Sequence, residues 1–178
     1  MKAGIAVEVA DLYRVVTLEN LRRTPGVRFD VLPAGRVPRV DAVDRVLHKG
    51  GAISPGPVGA VARPWYMHPF QDDNLLVLAG VRHVEIYTRR HGRVEHFECA
   101  PDRVTHDGAV LHDGPCLLVW PRFVFHRIVS DAQAGSISVN LATHYEGFDI
   151  RTNFSIYDLD PVTGAHRVIR EGFRDQNE

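Results

Sequence analysis

Short strand-like runs separated by turn residues are the feature that most constrains the fold of this chain. Gly, Pro, Asn and Asp recur at intervals of roughly 8–12 residues, and the segments between them are apolar or alternate between apolar and polar residues. Two separators are specific, since Arg89–Gly92 is typical of a hairpin turn and Asp107-Gly108 of a type I′ turn. About ten strands in this arrangement predict an all-β antiparallel sandwich or barrel.

One short helix is predicted, and it lies near the N-terminus. Thr17 can cap a helix over residues 18–23, and Pro25 and Gly26 would end it. A strand is predicted to follow directly, because residues 27–32 alternate between apolar and polar side chains.

The 178 residues are expected to form one domain, since a chain of this length can bury a proper core. Residues 36–57 are rich in proline and glycine, and residues 41–47 within them are compatible with a strand or with one helical turn. We therefore assign residues 1–57 to an N-terminal extension that packs on the barrel and residues 58–178 to the barrel itself.

The charge balance argues against two classes of partner. The chain has 21 basic and 22 acidic residues, so its formal net charge of −1 provides no field for nucleic acid or an anionic membrane. Cys99 and Cys116 form no C-x-x-C pair and are expected to be buried free thiols in a reducing compartment. Glu8 and Asp11 interrupt any apolar signal region, so we expect a cytoplasmic protein without a membrane span.

Two distant segments each carry one histidine beside an aromatic cluster. His68 lies in the segment Trp65–Asn74, and His126 lies in the segment Trp120–His126. Strand alternation places each histidine on an otherwise apolar face, and it places Asp73 on the apolar face of the following strand. A carboxylate directed into an apolar interior is costly unless it is paired or bound to a metal.

His68, His126 and Asp73 therefore form a candidate metal site. Two neutral imidazoles and one carboxylate match the facial triad that leaves open positions for substrate or dioxygen, and such a set suits Fe, Mn, Zn or Ni. The alternative for the two histidines is a hydrogen-bonded interior without metal. Asp73 could instead cap a turn over residues 71–74 or pair with an arginine.

Four further residues are candidates for contact with a substrate. Tyr66 shares the face of His68 and is a candidate catalytic residue, which could orient a substrate or move a proton. Gln71, Trp120 and Asn140 are candidate substrate-binding residues. The alternatives are a core aromatic for Tyr66, a solvated loop side chain for Gln71, aromatic packing for Trp120 and outward exposure for Asn140.

The segment from Gly59 to Gly80 resembles the first motif of the cupin superfamily, G-x5-H-x-H-x3,4-E-x6-G. Gly80 fits the closing glycine of that motif, and His68 fits its second histidine. Asp73 stands where the family has glutamate, and Tyr66 stands where it has the first histidine.

The segment from Gly114 to Ser130 resembles the second cupin motif, G-x5-P-x-G-x2-H-x3-N, with one extra residue before the proline. Pro121 and His126 fit the proline and the histidine. Phe123 replaces the second glycine, and Ser130 replaces the final asparagine. The two motifs together cover residues 59–130.

The resemblance implies a double-stranded β-helix, also called a jelly roll, with a divalent metal inside the barrel and a homodimer as the assembly. It implies His68, His126 and Asp73 as the ligands. The leading hypothesis is a metal-dependent enzyme on a small polar organic substrate, with an oxygenase favoured over an isomerase, lyase or cyclase. The alternatives are a metal-free cupin that binds a small ligand as a sensor or accessory protein, and a metal-free epimerase, isomerase or cyclase.

Overall fold

The computed structural model describes residues 4–37 and 39–176, which form two large antiparallel sheets and one separate hairpin. The strands in chain order are β1 (Ile5–Val9), β2 (Tyr13–Thr17), β3 (Glu19–Thr24), β4 (Val27–Val31), β5 (Ala42–His48), β6 (Ile53–Ser54), β7 (Trp65–Met67), β8 (Gln71–Gly80), β9 (Arg82–Tyr87), β10 (Val94–Ala100), β11 (Arg103–His106), β12 (Ala109–Asp113), β13 (Cys116–Trp120), β14 (Phe125–Ser130), β15 (Ser136–His144), β16 (Ile156–Leu159) and β17 (His166–Arg170). A four-residue helix α1 (Ile150–Asn153) precedes β16, and a 3₁₀ turn (Gly172–Asp175) follows β17.

The first large sheet has the strand order β1-β2-β13-β8-β15-β5, so β5 forms one of its edges. The second has the order β12-β11-β10-β9-β14-β7-β16-β17, and β6 pairs with β14 beside it. Buried residues from both sheets, including Leu75 and Leu118 from the first and Val84, Ile86 and Phe97 from the second, form one hydrophobic cluster. The all-β prediction is therefore confirmed, and the core lies between the two sheets.

The predicted helix over residues 18–23 is wrong, because these residues form strand β3 instead. β3 pairs with β4 through the turn at Pro25 and Gly26, and Gly26 has a φ of +74°. Pro25 and Gly26 thus form the turn of a hairpin and not the end of a helix. Both residue types are common at helix ends and in turns, so the sequence alone does not distinguish the two structures.

The region before residue 58 contributes strands to both sheets. β1, β2 and β5 belong to the first sheet, and β6 pairs with β14 of the second. Residues 42–48 form strand β5, which decides between the strand and the helical turn that the sequence left open. The proposed boundary at residue 57 stays a prediction.

Gly80 is the point where the chain crosses from one sheet to the other. β8 ends at Gly80, and β9 begins at Arg82 in the second sheet. Gly80 has a φ of +69°, a conformation that suits glycine, and its Cα faces the carbonyl oxygen of Gly135. This crossing lets β8 and β9 present their inward side chains to the same interior.

Three smaller predictions concern the turns, the thiols and the membrane. Asp107 and Gly108 both have positive φ, as a type I′ turn requires, so that prediction is confirmed. Cys99 and Cys116 are buried and free, also as predicted. Among the described residues, none of the helices has the length and apolar character needed to cross a membrane.

Candidate functional site

A cavity of about 190 Å³ lies between the two sheets and contains every candidate site residue that the sequence predicted. Its lining includes the three candidate metal ligands, the candidate catalytic tyrosine and the three candidate substrate-binding residues, namely His68, Asp73, His126, Tyr66, Gln71, Trp120 and Asn140. These residues come from β7, β8, β13, β14 and β15 and from the segment after β7. The structure thus brings them together, while their roles remain predictions.

Three ligand atoms converge at one end of the cavity. His68 Nε2 lies 3.5 Å from Asp73 Oδ2, and His126 Nε2 lies 3.9 Å from the same oxygen. All three side chains are buried, with no more than 5% of each residue exposed. A cation placed among the three atoms would be coordinated by two imidazoles and one carboxylate, as the sequence analysis expects.

The hydrogen bonds of the two histidines determine which ring nitrogen is free. His68 Nδ1 is 2.8 Å from the carbonyl oxygen of Asn153, and His126 Nδ1 is 3.2 Å from that of Val124. Because a carbonyl oxygen only accepts, each Nδ1 carries a hydrogen, and Nε2 is the ring nitrogen that faces Asp73 Oδ2. Metal-binding histidines commonly donate their second N–H in this way.

The two oxygens of Asp73 are in different environments. Oδ1 accepts a hydrogen bond from Gln71 Nε2 at 2.8 Å and another from Asn140 Nδ2 at 2.7 Å. Oδ2 is buried and has no hydrogen-bond donor within the described part of the chain. A buried carboxylate oxygen without a donor is costly, so the site fits a bound cation.

Neither alternative role for Asp73 agrees with the structure, since the ion-pair contacts of this residue within the described ranges are to His68 and His126 and not to an arginine. Asp73 lies inside strand β8, so the predicted turn over residues 71–74 is wrong and a turn-capping role is excluded. The neighbouring Asp72 also lies in β8, where its Oδ1 accepts from the backbone N–H of Arg122 and its Oδ2 accepts from the hydroxyl of Tyr145, both at 2.8 Å. Asp72 thus has a donor on each oxygen, in contrast to Asp73.

The electrostatics of His126 favour its neutral form. The pKa of His126 is lowered to about 4, mainly by burial and also by the nearby His68, while Asp73 acts in the opposite direction. The ring is therefore neutral near pH 7, which is the form that binds metals. Trp120 packs on it with ring centroids 5.1 Å apart, and this contact helps to exclude water.

Tyr66 forms part of the cavity wall near the two histidines. Its ring centroid lies 6.0 Å from that of His68 and 6.0 Å from that of His126. Burial raises the pKa of Tyr66, and the negative charge of Asp175 adds to this effect. The phenol therefore keeps its proton at neutral pH and can donate it as a hydrogen bond.

Gln71 and Asn140 hold Asp73 in place. Gln71 is 2% exposed, which excludes the solvated loop alternative, and its Oε1 is 3.4 Å from Asn153 Nδ2. Asn140 also faces inward, because its Nδ2 reaches the buried Asp73 and its side chain lines the cavity; its Oδ1 accepts from the backbone N–H of Asn74 at 2.8 Å. Both amides therefore fix the carboxylate of Asp73 through their N–H groups, in addition to facing the cavity.

A second cluster of possible ligands lies outside the cavity at Glu95, His106 and Asp107. There, Arg93 donates to both oxygens of Glu95 at 2.7 Å, and His106 Nε2 is 2.5 Å from Glu95 Oε2. The carboxylate of Glu95 already has its donors, so this cluster is an ion-pair network and lacks the unpartnered oxygen of Asp73.

The opposite end of the cavity contains polar residues that the sequence analysis did not select. Arg82 and His48 line it, and Ser130 and Ser136 connect them by hydrogen bonds. A signal was present, since Arg82 alternates in phase with the apolar Val84 and Ile86 of β9. An arginine on the apolar side of a strand indicates a paired or functional cation.

His48 provides a test of the electrostatics at this end. The pKa of His48 is lowered to about 4, mainly by burial and also by the positive charge of Arg82. Between about pH 6.5 and 4 the unfolded chain binds a proton at this histidine that the folded protein does not. We therefore expect the free energy of unfolding to decrease as the pH falls through this range.

The measurement is chemical denaturation of wild type and His48→Asn at pH 7 and at pH 5. The loss of stability between the two pH values is expected to be smaller in the variant, because the variant lacks this titrating group. An equal loss in both proteins would show that His48 does not contribute to the pH dependence.

Comparison with known proteins supports the fold assignment. No protein-family profile matches this chain, and no curated protein matches it. Among solved structures, it is similar to a dTDP sugar isomerase from Desulfovibrio desulfuricans, with a TM-score of 0.56, 15% identity, and coverage of 80% of this chain and 83% of the other. A 3,4-ketoisomerase from Helicobacter canadensis gives a TM-score of 0.47 and 11% identity, with coverage of 76% and 85%. The predicted cupin-type jelly roll is confirmed by the first of these likenesses.

Proposed function

We propose that this protein is an enzyme that uses one divalent metal ion, held by His68, Asp73 and His126, to transform a small polar organic molecule. The observation that carries the proposal is the convergence of two imidazole nitrogens and one carboxylate oxygen, all from buried side chains, in one cavity. The Nε2 atoms of His68 and His126 lie close to the Oδ2 atom of Asp73, and this oxygen accepts no hydrogen bond from the described residues. A bound cation would offset the cost of burying the unpartnered carboxylate oxygen. In a purely apolar core the same buried polar atoms would only reduce stability.

The donor set suits iron, manganese, zinc or nickel, and geometry and availability decide among them. When bound, such an ion would supply Lewis acidity to a substrate oxygen. The carbonyl groups of Asn153 and Val124 fix the ring orientation of the two histidines. Gln71 and Asn140 fix the carboxylate of Asp73, so the ligands are held in place before the ion arrives.

The other cavity residues would bind and orient the substrate. Tyr66 keeps its proton at neutral pH and can donate a hydrogen bond to a substrate oxygen. The Nε1–H group of Trp120 is buried and has no acceptor among the residues described, so it is a second available donor. Phe154 packs edge-on against His68 at 4.8 Å and keeps water from the back of its ring.

The class of reaction depends on which metal is bound and on which side chains transfer protons. With iron, the facial triad favours an oxygenase, which the consumption of dioxygen would reveal. A metal-free isomerase is the second candidate, with His68 as the base and Tyr66 as the acid. Two observations favour it, namely the 6.0 Å distance between these two rings and the fold shared with a dTDP sugar isomerase. A ligand-binding protein without catalysis is the third.

We expect wild-type protein to bind close to one equivalent of zinc or cobalt and to gain thermal stability from it. At a free metal concentration about 100-fold above Kd, the gain is about 2.7 kcal/mol. Elemental analysis gives the stoichiometry, and differential scanning calorimetry gives the shift in Tm. The matched control is Glu95→Gln, which alters the second ligand cluster and should leave the stoichiometry and the metal-induced shift unchanged.

Less than about one tenth of an equivalent, with no uptake on titration, would contradict a metal site of this kind. It would favour the isomerase or the ligand-binding protein. These two differ in the effect of Tyr66→Phe, which should abolish turnover in the isomerase and change only the affinity in the ligand-binding protein.

A further inference from the structure

Arg82 is a buried cation at the end of the cavity opposite to the metal ligands. It is the first residue of β9 and is 2% exposed. Its side chain points inward, as do those of Val84 and Ile86 on the same face, both of which are fully buried. Arg82 also lines the same cavity as His68, Asp73 and His126.

The guanidinium of Arg82 has too few partners for its burial. Its Nε donates to Ser136 Oγ at 3.0 Å, while its Nη2 is buried and has no acceptor in the described segments. No carboxylate of those segments lies within ion-pair distance of it. Burial lowers the pKa of Arg82 to about 10, so the group is still charged at neutral pH. A buried charge without a counter-ion is costly, and proteins rarely keep one without a use.

The groups around Arg82 cannot neutralise it. Ser136 Oγ is 2.7 Å from Ser130 Oγ, which in turn is 2.9 Å from His48 Nδ1, so this chain of contacts is uncharged. Cys99 lies opposite Arg82 on β10, but burial raises the pKa of its thiol far above neutrality. The positive charge therefore remains available to a molecule in the cavity.

The two ends of the cavity are separated by an apolar stretch. His126, Ile128 and Ser130 lie on the same face of β14, and Ser130 is the register partner of Arg82. Four residues of extended strand separate the backbone positions of His126 and Ser130, so the backbone of Arg82 lies about 13 Å along the strand direction from that of His126. Ile128 and Leu75 line the cavity between these ends.

We propose that Arg82 binds a carboxylate group of the substrate, whose reacting end lies at His68, Asp73 and His126. The placement of the substrate's reacting end depends on the proposed function, whereas the carboxylate-binding site is inferred from Arg82 alone. One unpaired guanidinium balances one negative charge, which matches a carboxylate better than a phosphate dianion. A cavity of about 190 Å³ is below the usual range for ligand sites, so the substrate is a small acid with a short carbon chain.

The test compares an acid with its amide, which has the same carbon skeleton and no charge. The probes are 4-oxopentanoate, 4-oxopentanamide and inorganic phosphate, titrated into wild type, Arg82→Met and Arg103→Met. Arg103 is a surface arginine paired with Asp113, so Arg103→Met is the control for the loss of one positive charge. Calorimetric titration gives the affinities, and thermal unfolding gives the stability of each unliganded protein.

Wild type and Arg103→Met are expected to bind the acid at least about tenfold more tightly than the amide, and Arg82→Met is expected to lose that preference. Unliganded Arg82→Met should also melt at a higher temperature than wild type, because a buried charge without a partner has been removed. If Arg82→Met does not fold, Arg82→Lys serves instead, and it should keep a preference for the acid because it keeps the charge.

Three results would overturn the proposal. They are the absence of any acid preference in wild type, an acid preference that survives in Arg82→Met, and tighter binding of phosphate than of the acid. The titrations are repeated on metal-free protein and on Asp73→Asn. If only the metal-site proposal is wrong, both proteins still prefer the acid to the amide. If only the carboxylate-site proposal is wrong, the preference for the acid is absent while metal uptake is unaffected.

Discussion

Replacing Asp73 with Asn is expected to weaken binding of a divalent metal at least about 100-fold while leaving the metal-free protein as stable as wild type or more stable. The substitution removes the anionic ligand and retains one oxygen for the donors of Gln71 and Asn140. Its new N–H₂ group replaces an oxygen that lacks a donor in the described part of the structure, and it comes near His68 Nε2, which can accept from it. Metal titration followed by calorimetry measures both effects.

Asp72→Asn is the matched control, because Asp72 is the adjacent carboxylate on the same strand and both of its oxygens have donors. It should lose about 1–3 kcal/mol of stability through a broken hydrogen bond and should keep its metal. A marked loss of stability in metal-free Asp73→Asn, or unchanged metal affinity, would contradict the assignment of Asp73 as a ligand.

Replacing Gly80 with Ala is expected to lower the free energy of unfolding by about 2–5 kcal/mol. The left-handed backbone costs an alanine about 1–2 kcal/mol, and steric overlap of the new methyl group with the neighbouring strand costs about 1–3 kcal/mol more. The added methyl group would overlap the backbone carbonyl of Gly135, and a backbone group cannot move aside as a flexible side chain can. Urea denaturation, with a check that the m-value is unchanged, measures the loss.

Gly26→Ala separates the two contributions. Gly26 has a φ of +74°, close to the +69° of Gly80, but a Cβ there would meet nothing within 4 Å. This variant should lose only about 1–2 kcal/mol, the cost of the backbone conformation. Equal losses of stability in the two variants would mean that the backbone around Gly80 shifts to accommodate the methyl group, so that contact with Gly135 adds no cost.

The metal-site candidates could be selected from the sequence because strand alternation has a fixed period of two. Alternation predicts that residues 66 and 68 share a face and that an acid in phase with apolar residues points inward. β7 ends at Met67, so His68 lies just beyond the strand, and it still lines the same cavity as Tyr66. The convergence of His68 and His126 came from the resemblance to a family, since no local pattern relates residues 58 positions apart.

Other features could not be read from the sequence. Phe123 stands where the family motif has glycine and still adopts a φ of +68°, so the backbone shape persists without the residue that suits it. Its N–H donates to the carbonyl of His68 at 2.9 Å, a contact that holds the turn in place. The phase of Arg82 with Val84 and Ile86 indicates an inward side chain, but only the packed structure shows that this arginine faces hydroxyl groups and no acid among the described residues.

The edge position of β5 affects how a molecule reaches the interior. Asp44, Val46 and His48 of this strand line the cavity, yet within residues 4–37 and 39–176 the strand pairs with β15 alone, along one side. The walls formed by β8 and β13 are held on both sides, so separating β5 breaks fewer backbone hydrogen bonds. We expect the amides of β5 to exchange with deuterium sooner than those of β8, and to slow once a ligand fills the space behind them, which would identify this strand as the gate.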